Sequence, residues 1–203
     1  MSSTQYNKKL QLTCLISDAI AMTKLGAQLA AGIKPGCIIY LDGDLGAGKT
    51  TLVRGFLSAC GYQGAVKSPT FTVVEPYSLD YNKLYDYNEL HEGLKIDDPI
   101  DRVTISNYDI ITENAQKIYH FDLYRLEDPE ELEYLGIRDY LDGQAIALIE
   151  WPGKGQGVLP KADLLIKITH QRQGRGVTLQ PQSKLGAAIV SRIALRTCTQ
   201  VGV

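Results

Sequence analysis

The residues with the clearest chemical potential form one short stretch, which reads Gly-Asp-Leu-Gly-Ala-Gly-Lys-Thr from residue 43 to residue 50. This is the spacing G-x-x-x-x-G-K-[ST] of a phosphate-binding loop, or P-loop. Glycines let such a loop bend around an anion, so that backbone N–H groups and a helix N-terminus face phosphate. Lys49 can bridge the β- and γ-phosphates, and the Thr50 hydroxyl can join the shell of a Mg²⁺ ion. The stretch therefore predicts binding of a nucleoside triphosphate with magnesium.

The residues around this loop favour that interpretation over a glycine-rich turn with a solvated lysine. Residues 37–41 are predicted to form a short buried strand, and residues 51–60 a helix that Gly61 can end. A strand, a loop and a helix in this order are the context that the motif requires. The candidate nucleotide-binding residues here are Asp44, Leu45, Gly46, Ala47, Gly48, Lys49, Thr50 and Thr51.

Two carboxylates are candidates for the acidic group that a P-loop enzyme places near Mg²⁺. Glu150 follows the most apolar run of the chain, residues 145–149, so a buried strand would aim it at the phosphate crevice. Asp122 lies in the stretch His-Phe-Asp-Leu-Tyr-Arg at residues 120–125. Both can serve, one on the metal and one positioning water. The alternatives are an exposed strand-end residue for Glu150, and a salt bridge with Arg125 or a loop cap for Asp122.

Three further features near these carboxylates allow both a structural and a functional role. Trp151, the only tryptophan, is by default a core residue, but it directly follows Glu150 and can form a stiff turn at the metal with Pro152. Residues 68–70, Ser-Pro-Thr, are either an ordinary turn or a switch-like loop that reaches the γ-phosphate. His120 alone indicates little, because most histidines are core or surface residues.

The elements that must position these residues can be outlined from apolar patterns and caps. Residues 10–16 are predicted to form an edge strand, followed by a helix capped by Ser17 and closed by Gly32. Residues 66–75 are predicted to open as a loop and continue as a strand. A second capped helix is predicted at Asp128, with Pro129 at its first position, Glu131 as capping-box partner and Gly136 at its end. Further strands are predicted at residues 118–123, 145–149, 164–168 and 177–180, and a closing helix at 185–195.

Residues 79–117 differ in character from the rest of the chain. They contain nine acidic and four basic residues, a net charge of −5, and several tyrosines. They show no clear periodicity, so we interpret them as an insertion that leaves and rejoins a hairpin. These residues can form a solvated insertion or a binding surface. Their acidic composition favours a solvated insertion.

Composition and net charge limit the number of domains and the classes of function that this chain can have. A chain of 203 residues with a net charge of −2 suits one domain, here residues 1–203, and offers no basic field for gripping nucleic acid. The four cysteines have no C-x-x-C spacing, which argues against a zinc site or a disulfide framework. We find no signal peptide and no bilayer-spanning run, so we expect a cytoplasmic protein.

Taken together, these motifs resemble the bacterial TsaE family, formerly called YjeE. The resemblance rests on residues 43–51, on Ser-Pro-Thr-Phe-Thr at 68–72, on residues 120–125, and on Glu-Trp-Pro at 150–152, in this order. These small P-loop ATPases are needed to make N6-threonylcarbamoyladenosine in transfer RNA.

The resemblance implies a compact α/β, P-loop NTPase-like three-layer fold with a mixed sheet, ATP as the nucleotide, and Mg²⁺ held by Thr50 and Glu150. It implies that Lys49 and Asp122 are catalytic, Asp122 by activating or orienting water. It also implies a switch-like loop with Ser68 and Thr70, and Trp151 beside the metal. The implied partners are the paralogous proteins TsaB and TsaD, with an indirect effect on tRNA. Family members commonly replace residues 79–117 with a short hairpin.

Other function classes are less well supported. A P-loop small-molecule kinase would need an acceptor pocket and usually lid arginines, and no arginine-rich lid is apparent. A GTPase is disfavoured because neither D-x-x-G nor N-K-x-D occurs. A nucleotide-sensing interaction protein would look much like a slow ATPase, and partner-stimulated turnover would separate the two.

Overall fold

The computed structural model describes residues 11–31, 33–79 and 116–198. The strands of this part of the chain are β1 (Leu12–Ile16), β2 (Ile38–Gly43), β3 (Val74–Leu79), β4 (Gln116–Asp122), β5 (Ile146–Glu150), β6 (Leu164–Gln171) and β7 (Gly174–Pro181). The helices are α1 (Ala19–Ala30), α2 (Lys49–Ala59), α3 (Glu131–Tyr134), α4 (Ile137–Tyr140) and α5 (Lys184–Cys198), and a 3₁₀ turn spans Pro152–Gly155.

These strands form one sheet in the order β1-β7-β6-β2-β5-β4-β3. The central strands β6, β2, β5 and β4 run parallel to their neighbours in this group. Antiparallel pairs complete both edges. The apolar run of β5 follows from its central place, because every residue of that strand is buried. The predicted α/β fold with a mixed sheet is confirmed, and so is β1 as an edge strand.

Helices cover both faces of the sheet because alternate strand residues point to opposite faces. Leu148 belongs to an apolar cluster with residues of α1, α2 and α5. Its neighbours Ala147 and Ile149 belong to a second cluster with Leu132 of α3 and Ile137 of α4. This arrangement gives three layers, as predicted.

The cap of α1 differs from the prediction. Asp18, not Ser17, caps the helix, because its side-chain Oδ1 accepts a hydrogen bond of 2.8 Å from the backbone N–H of Ala21. The Ser17 hydroxyl instead donates to the other oxygen of Asp18 at 3.0 Å. A carboxylate is the stronger acceptor of the two adjacent side chains, and the sequence pattern does not distinguish them. The helix ends at Ala30, and the predicted terminator, Gly32, lies outside the described residues.

The strand predicted within residues 66–75 begins only at Val74. The preceding residues form a loop that Val73 closes, with its N–H bonded to the Pro69 carbonyl at 2.7 Å. Val73 adopts a left-handed backbone with φ of 65°, which is strained for a β-branched residue and interrupts an extended chain. The β-branched composition predicted a strand here, and the turn overrides it.

The helix predicted to start at Asp128 is shorter than expected. Half of the predicted capping box forms, because the Glu131 carboxylate accepts from the Asp128 N–H at 2.8 Å. Asp128 itself accepts from the Glu130 N–H at 2.9 Å, and the helix N-cap is Glu130, not Asp128 as predicted. Pro129 lies in a turn before the helix, which begins at Glu131 and covers one turn. Gly136 then takes a left-handed conformation with φ of 69°, ends α3 and leads directly into α4.

Strands β3 and β4 form the predicted antiparallel hairpin. Their pairing runs from Val74 opposite Phe121 to Leu79 opposite Gln116. The insertion predicted at residues 79–117 therefore leaves the sheet at Leu79 and rejoins it at Gln116, and residues 80–115 lie outside the described part of the chain. Of the described helices, none has both the length and the apolar character needed to cross a bilayer.

Candidate functional site

The predicted P-loop joins the end of β2 to the start of α2, so the strand–loop–helix prediction is confirmed. The helix begins at Lys49, two residues earlier than predicted, and strand β2 extends to Gly43. Gly48 holds the turn into α2 with φ of 109°, a conformation that glycine adopts without strain. No side chain caps this helix start, so its first N–H groups remain available to an anion.

Gly43 is required for a different reason, which is close packing. A β-carbon at this position would lie 2.4 Å from the backbone carbonyl of Ile168 on the neighbouring strand β6. A side chain would therefore push the P-loop away from the sheet.

The Lys49 side chain folds back over the loop. Its ammonium donates to the carbonyls of Gly43 at 2.7 Å and Asp44 at 3.0 Å. It also lies 4.1 Å from the centre of the Trp151 ring. Burial lowers the pKa of Lys49 below its usual range, and nearby carboxylates, Glu150 first among them, partly oppose that shift. The result is a cation held beside the loop with few polar partners, suited to meet a phosphate anion.

The Thr50 hydroxyl and the Glu150 carboxylate meet directly. Thr50 Oγ1 donates to Glu150 Oε1 at 2.8 Å, although the two residues are a hundred positions apart in the sequence. Strand β5 pairs with β2 so that Glu150 lies opposite Leu41, close to the start of the P-loop. Glu150 is buried, and the prediction that its strand points it at the loop agrees with this geometry.

Asp122 lies beside Glu150, at the carboxyl end of the adjacent strand. The two residues are register partners of β4 and β5. Asp122 Oδ2 accepts hydrogen bonds from the hydroxyls of Ser68 and Thr70, the latter at 2.6 Å. Its other oxygen accepts the Tyr124 N–H at 3.1 Å. Asp122 thus links the loop at residues 68–70 to the carboxyl ends of β4 and β5, where Glu150 also lies.

The alternative of a salt bridge between Asp122 and Arg125 is not observed. The Arg125 guanidinium instead stacks on the exposed ring of Phe71, at 4.2 Å from its centre. The Arg125 guanidinium therefore packs on an exposed ring and does not neutralise the buried Asp122 carboxylate.

Trp151 is half-buried and not a fully enclosed core residue. Its backbone is left-handed, with φ of 57°, and leads into the 3₁₀ turn at Pro152. Its ring centre lies 4.1 Å from Lys49 Nζ and 5.1 Å from the centre of the Tyr124 ring, and Trp151 also packs against the second apolar cluster. The position therefore combines the predicted core packing with a place beside Lys49.

The structure brings most of the predicted site residues together and adds His120, to which the sequence assigned no role, and Arg175, which no motif singled out. His120 is completely buried, and its Nε2 lies 2.9 Å from Glu150 Oε1. Strand alternation offered the missing signal, since residues 120 and 122 of one strand face the same side. Arg175 of β7 donates to the Gly46 carbonyl at 3.3 Å, and no sequence pattern indicated this contact.

The residues present fit Mg²⁺ when phosphates supply part of its shell. No group of three or more histidine, cysteine, aspartate or glutamate residues that could hold a metal occurs among the described residues. Mg²⁺ commonly keeps several waters and takes one or two protein oxygens together with substrate phosphates. The Thr50 hydroxyl at the start of α2 and the Glu150 carboxylate at the end of β5 are such a donor set.

The family model for the threonylcarbamoyl adenosine biosynthesis protein TsaE matches this chain over residues 16–91 and 87–177. The chain belongs to the TsaE family. The matched stretches contain the P-loop, Asp122 and Glu150, and they divide within the acidic segment at residues 79–117.

Several curated proteins named TsaE are similar to this chain. A protein from Haemophilus influenzae is 41% identical over 185 residues, which cover 89% of this chain and 96% of that protein. A TsaE protein from Bacillus subtilis is 34% identical over 72% of this chain and 70% of its own length. Among solved structures, Bacillus subtilis YdiB matches with a TM-score of 0.65 and 23% identity, covering 93% of this chain and 97% of that one. That likeness supports the fold.

Proposed function

We propose that this TsaE-family chain is a Mg²⁺-dependent ATPase that serves the N6-threonylcarbamoyladenosine modification of tRNA. The observation that carries the proposal is the 2.8 Å contact between the Thr50 hydroxyl and the Glu150 carboxylate at the first turn of the P-loop helix. Hydroxyl and carboxylate ligands at this place are what a P-loop NTPase uses to hold its metal.

The binding step uses the backbone and the cation of the loop. In this proposal the uncapped start of α2 and residues 44–48 receive the phosphates, and Lys49 turns from its two carbonyl partners to the phosphate oxygens. Burial removes part of the hydration of the Lys49 ammonium, which costs free energy in the folded protein. A phosphate partner compensates for this desolvation. Mg²⁺ supplies neutralisation of the charge that develops on the phosphates.

The hydrolytic step assigns separate roles to the two carboxylates. Thr50 and Glu150 hold the metal, while Asp122 orients water for attack. Asp122 accepts three hydrogen bonds from the loop at 68–70 and from Tyr124. A carboxylate with so many donors is held in one orientation, but its oxygens are engaged. Turnover by the isolated chain is accordingly expected to be slow, and movement of Ser68 or Thr70 would release Asp122.

The partner in this proposal is a TsaB–TsaD-type complex, and the effect on tRNA is indirect. The supporting features are family membership and two exposed apolar side chains on the P-loop and on the loop at residues 68–73, Leu45 and Phe71, which are 71% and 81% exposed. A partner that docks over these loops would bury both side chains. The net charge of −2 does not favour direct binding of tRNA by long-range attraction.

The test is ATP hydrolysis measured as phosphate release, with and without a TsaB–TsaD complex. We expect slow Mg²⁺-dependent release by the chain alone and faster release with the complex. Transfer of the γ-phosphate to an added small molecule would favour the kinase alternative. Tight ATP binding without turnover under either condition would favour a nucleotide-sensing protein.

A further inference from the structure

We propose that His120 is a positioning residue, whose Nε2–H orients the Glu150 carboxylate for Mg²⁺; this rests on the function proposed above. His120 lies in the middle of β4, with its ring completely buried. The ring nitrogen Nε2 lies 2.9 Å from Glu150 Oε1, the same oxygen that the Thr50 hydroxyl contacts at 2.8 Å. One carboxylate oxygen therefore has two donors that approach from different elements.

The contact with Glu150 is a hydrogen bond when the ring carries a proton on Nε2, because Nε2–H then donates to the carboxylate oxygen. The other nitrogen, Nδ1, is buried and has no hydrogen-bond partner among the described residues. An unpartnered buried polar atom opposes folding, and an apolar side chain at position 120 would avoid it. The contact with Glu150 accounts for a histidine in this place.

Two donors restrict a carboxylate more than one does. With Thr50 alone, the Glu150 side chain can rotate about its last bonds while keeping one hydrogen bond. With His120 as well, the position of Oε1 is restricted by contacts from β4 and from α2. Partners of this kind behind a metal ligand commonly contribute 10- to 100-fold to metal affinity.

Two amide substitutions provide a matched test. In H120Q, the side-chain amide nitrogen lies as many bonds from the backbone as Nε2 and can reach Glu150. In H120N, the amide nitrogen corresponds to Nδ1 and falls short. The measurement is calorimetric titration of ADP into each variant, in EDTA and over a series of Mg²⁺ concentrations, with circular dichroism as the check of folding.

We expect the Mg²⁺ concentration for half-maximal enhancement of ADP binding to rise about 10- to 100-fold in H120N. H120Q should stay within about threefold of wild type, and ADP affinity in EDTA should be unchanged in both variants. Equal Mg²⁺ dependence in H120N and wild type, or equal losses in H120Q and H120N, would overturn the proposal. A loss of ADP affinity in EDTA would indicate a merely structural role and would also overturn it. Failure of wild type itself to bind ADP with Mg²⁺ would instead refute the proposed function.

A measurement on the unmodified protein covers the case in which the variants do not fold. The chain has only three histidines, so ¹⁵N-histidine NMR can resolve the His120 ring. We expect the Nε2–H tautomer, and a shift of that resonance when Mg²⁺ is added to the ADP-loaded protein. An Nδ1–H tautomer, or no response to Mg²⁺, would overturn the proposal.

Discussion

The contact between Thr50 and Glu150 can be measured as a coupling energy. Thr50→Val keeps the side-chain shape and removes the donor, and Glu150→Gln keeps the shape and removes the charge. The hydrogen bond is 2.8 Å long, and the Glu150 side chain is only 3% exposed. Hydrogen bonds to charged groups contribute about 1.5–3 kcal/mol, and little solvent is present here to replace the lost donor. Because the amide oxygen introduced by Glu150→Gln can still accept the hydrogen bond, we expect a coupling of about 1 kcal/mol in the free energy of unfolding, the difference between a charged and a neutral acceptor.

The assay is urea unfolding of wild type, the two single variants and the double variant, without nucleotide. The coupling is the difference between the effect of the double substitution and the sum of the single effects. Thr51→Val combined with Glu150→Gln is the matched control, because residue 51 lies about 100° further around the helix. That pair should be additive. A Thr50–Glu150 coupling below about 0.5 kcal/mol would refute the contact on which the proposed metal site rests.

Three further predictions concern the second carboxylate, the insertion and the core. Asp122→Asn should bind ATP with unchanged affinity by calorimetry but release phosphate about 100-fold more slowly, because it loses a charge that orients water; lost binding would make the residue structural. Replacing residues 80–115 with Asn-Gly should keep basal ATPase activity within about twofold, since Leu79 and Gln116 already pair across the hairpin. Loss of activity in a folded protein would contradict that. Burial raises the pKa of Cys37 to about 12, so this thiol should stay unmodified at pH 8 and react once urea unfolds the chain; rapid labelling in the folded state would show that the β2 core is open.

The parts of the fold that the sequence predicted are those fixed by local constraints. The P-loop spacing indicates its own strand, turn and helix, because a loop of this kind needs glycines in left-handed conformations and a helix that starts directly after them. The continuous apolar run before Glu150 indicates a strand buried on both faces, and β5 is such a strand. Strand ends at one edge of a parallel sheet meet, which is why Asp122 and Glu150 could both be anticipated near the loop.

The parts that could not be predicted depend on which strands become neighbours. The contact between His120 and Glu150 requires β4 to lie beside β5, and strand order is not encoded in the local pattern of either strand. Arg175 reaches the P-loop from β7 through the same long-range arrangement. The left-handed Val73 is a case of a turn overriding strand propensity. Asp18 and Ser17 are both good cap residues by type, and only the folded chain shows that Asp18 is the one that accepts from the Ala21 N–H.

The proposed ATPase activity is tested most directly by phosphate release from ATP by wild type and by Lys49→Ala, each with Mg²⁺ and with EDTA. We expect measurable release only by wild type with Mg²⁺, and a loss of at least 100-fold in Lys49→Ala, because that variant lacks the buried ammonium proposed to meet the phosphates. Equal release by folded Lys49→Ala, or release by wild type that is unaffected by EDTA, would contradict it.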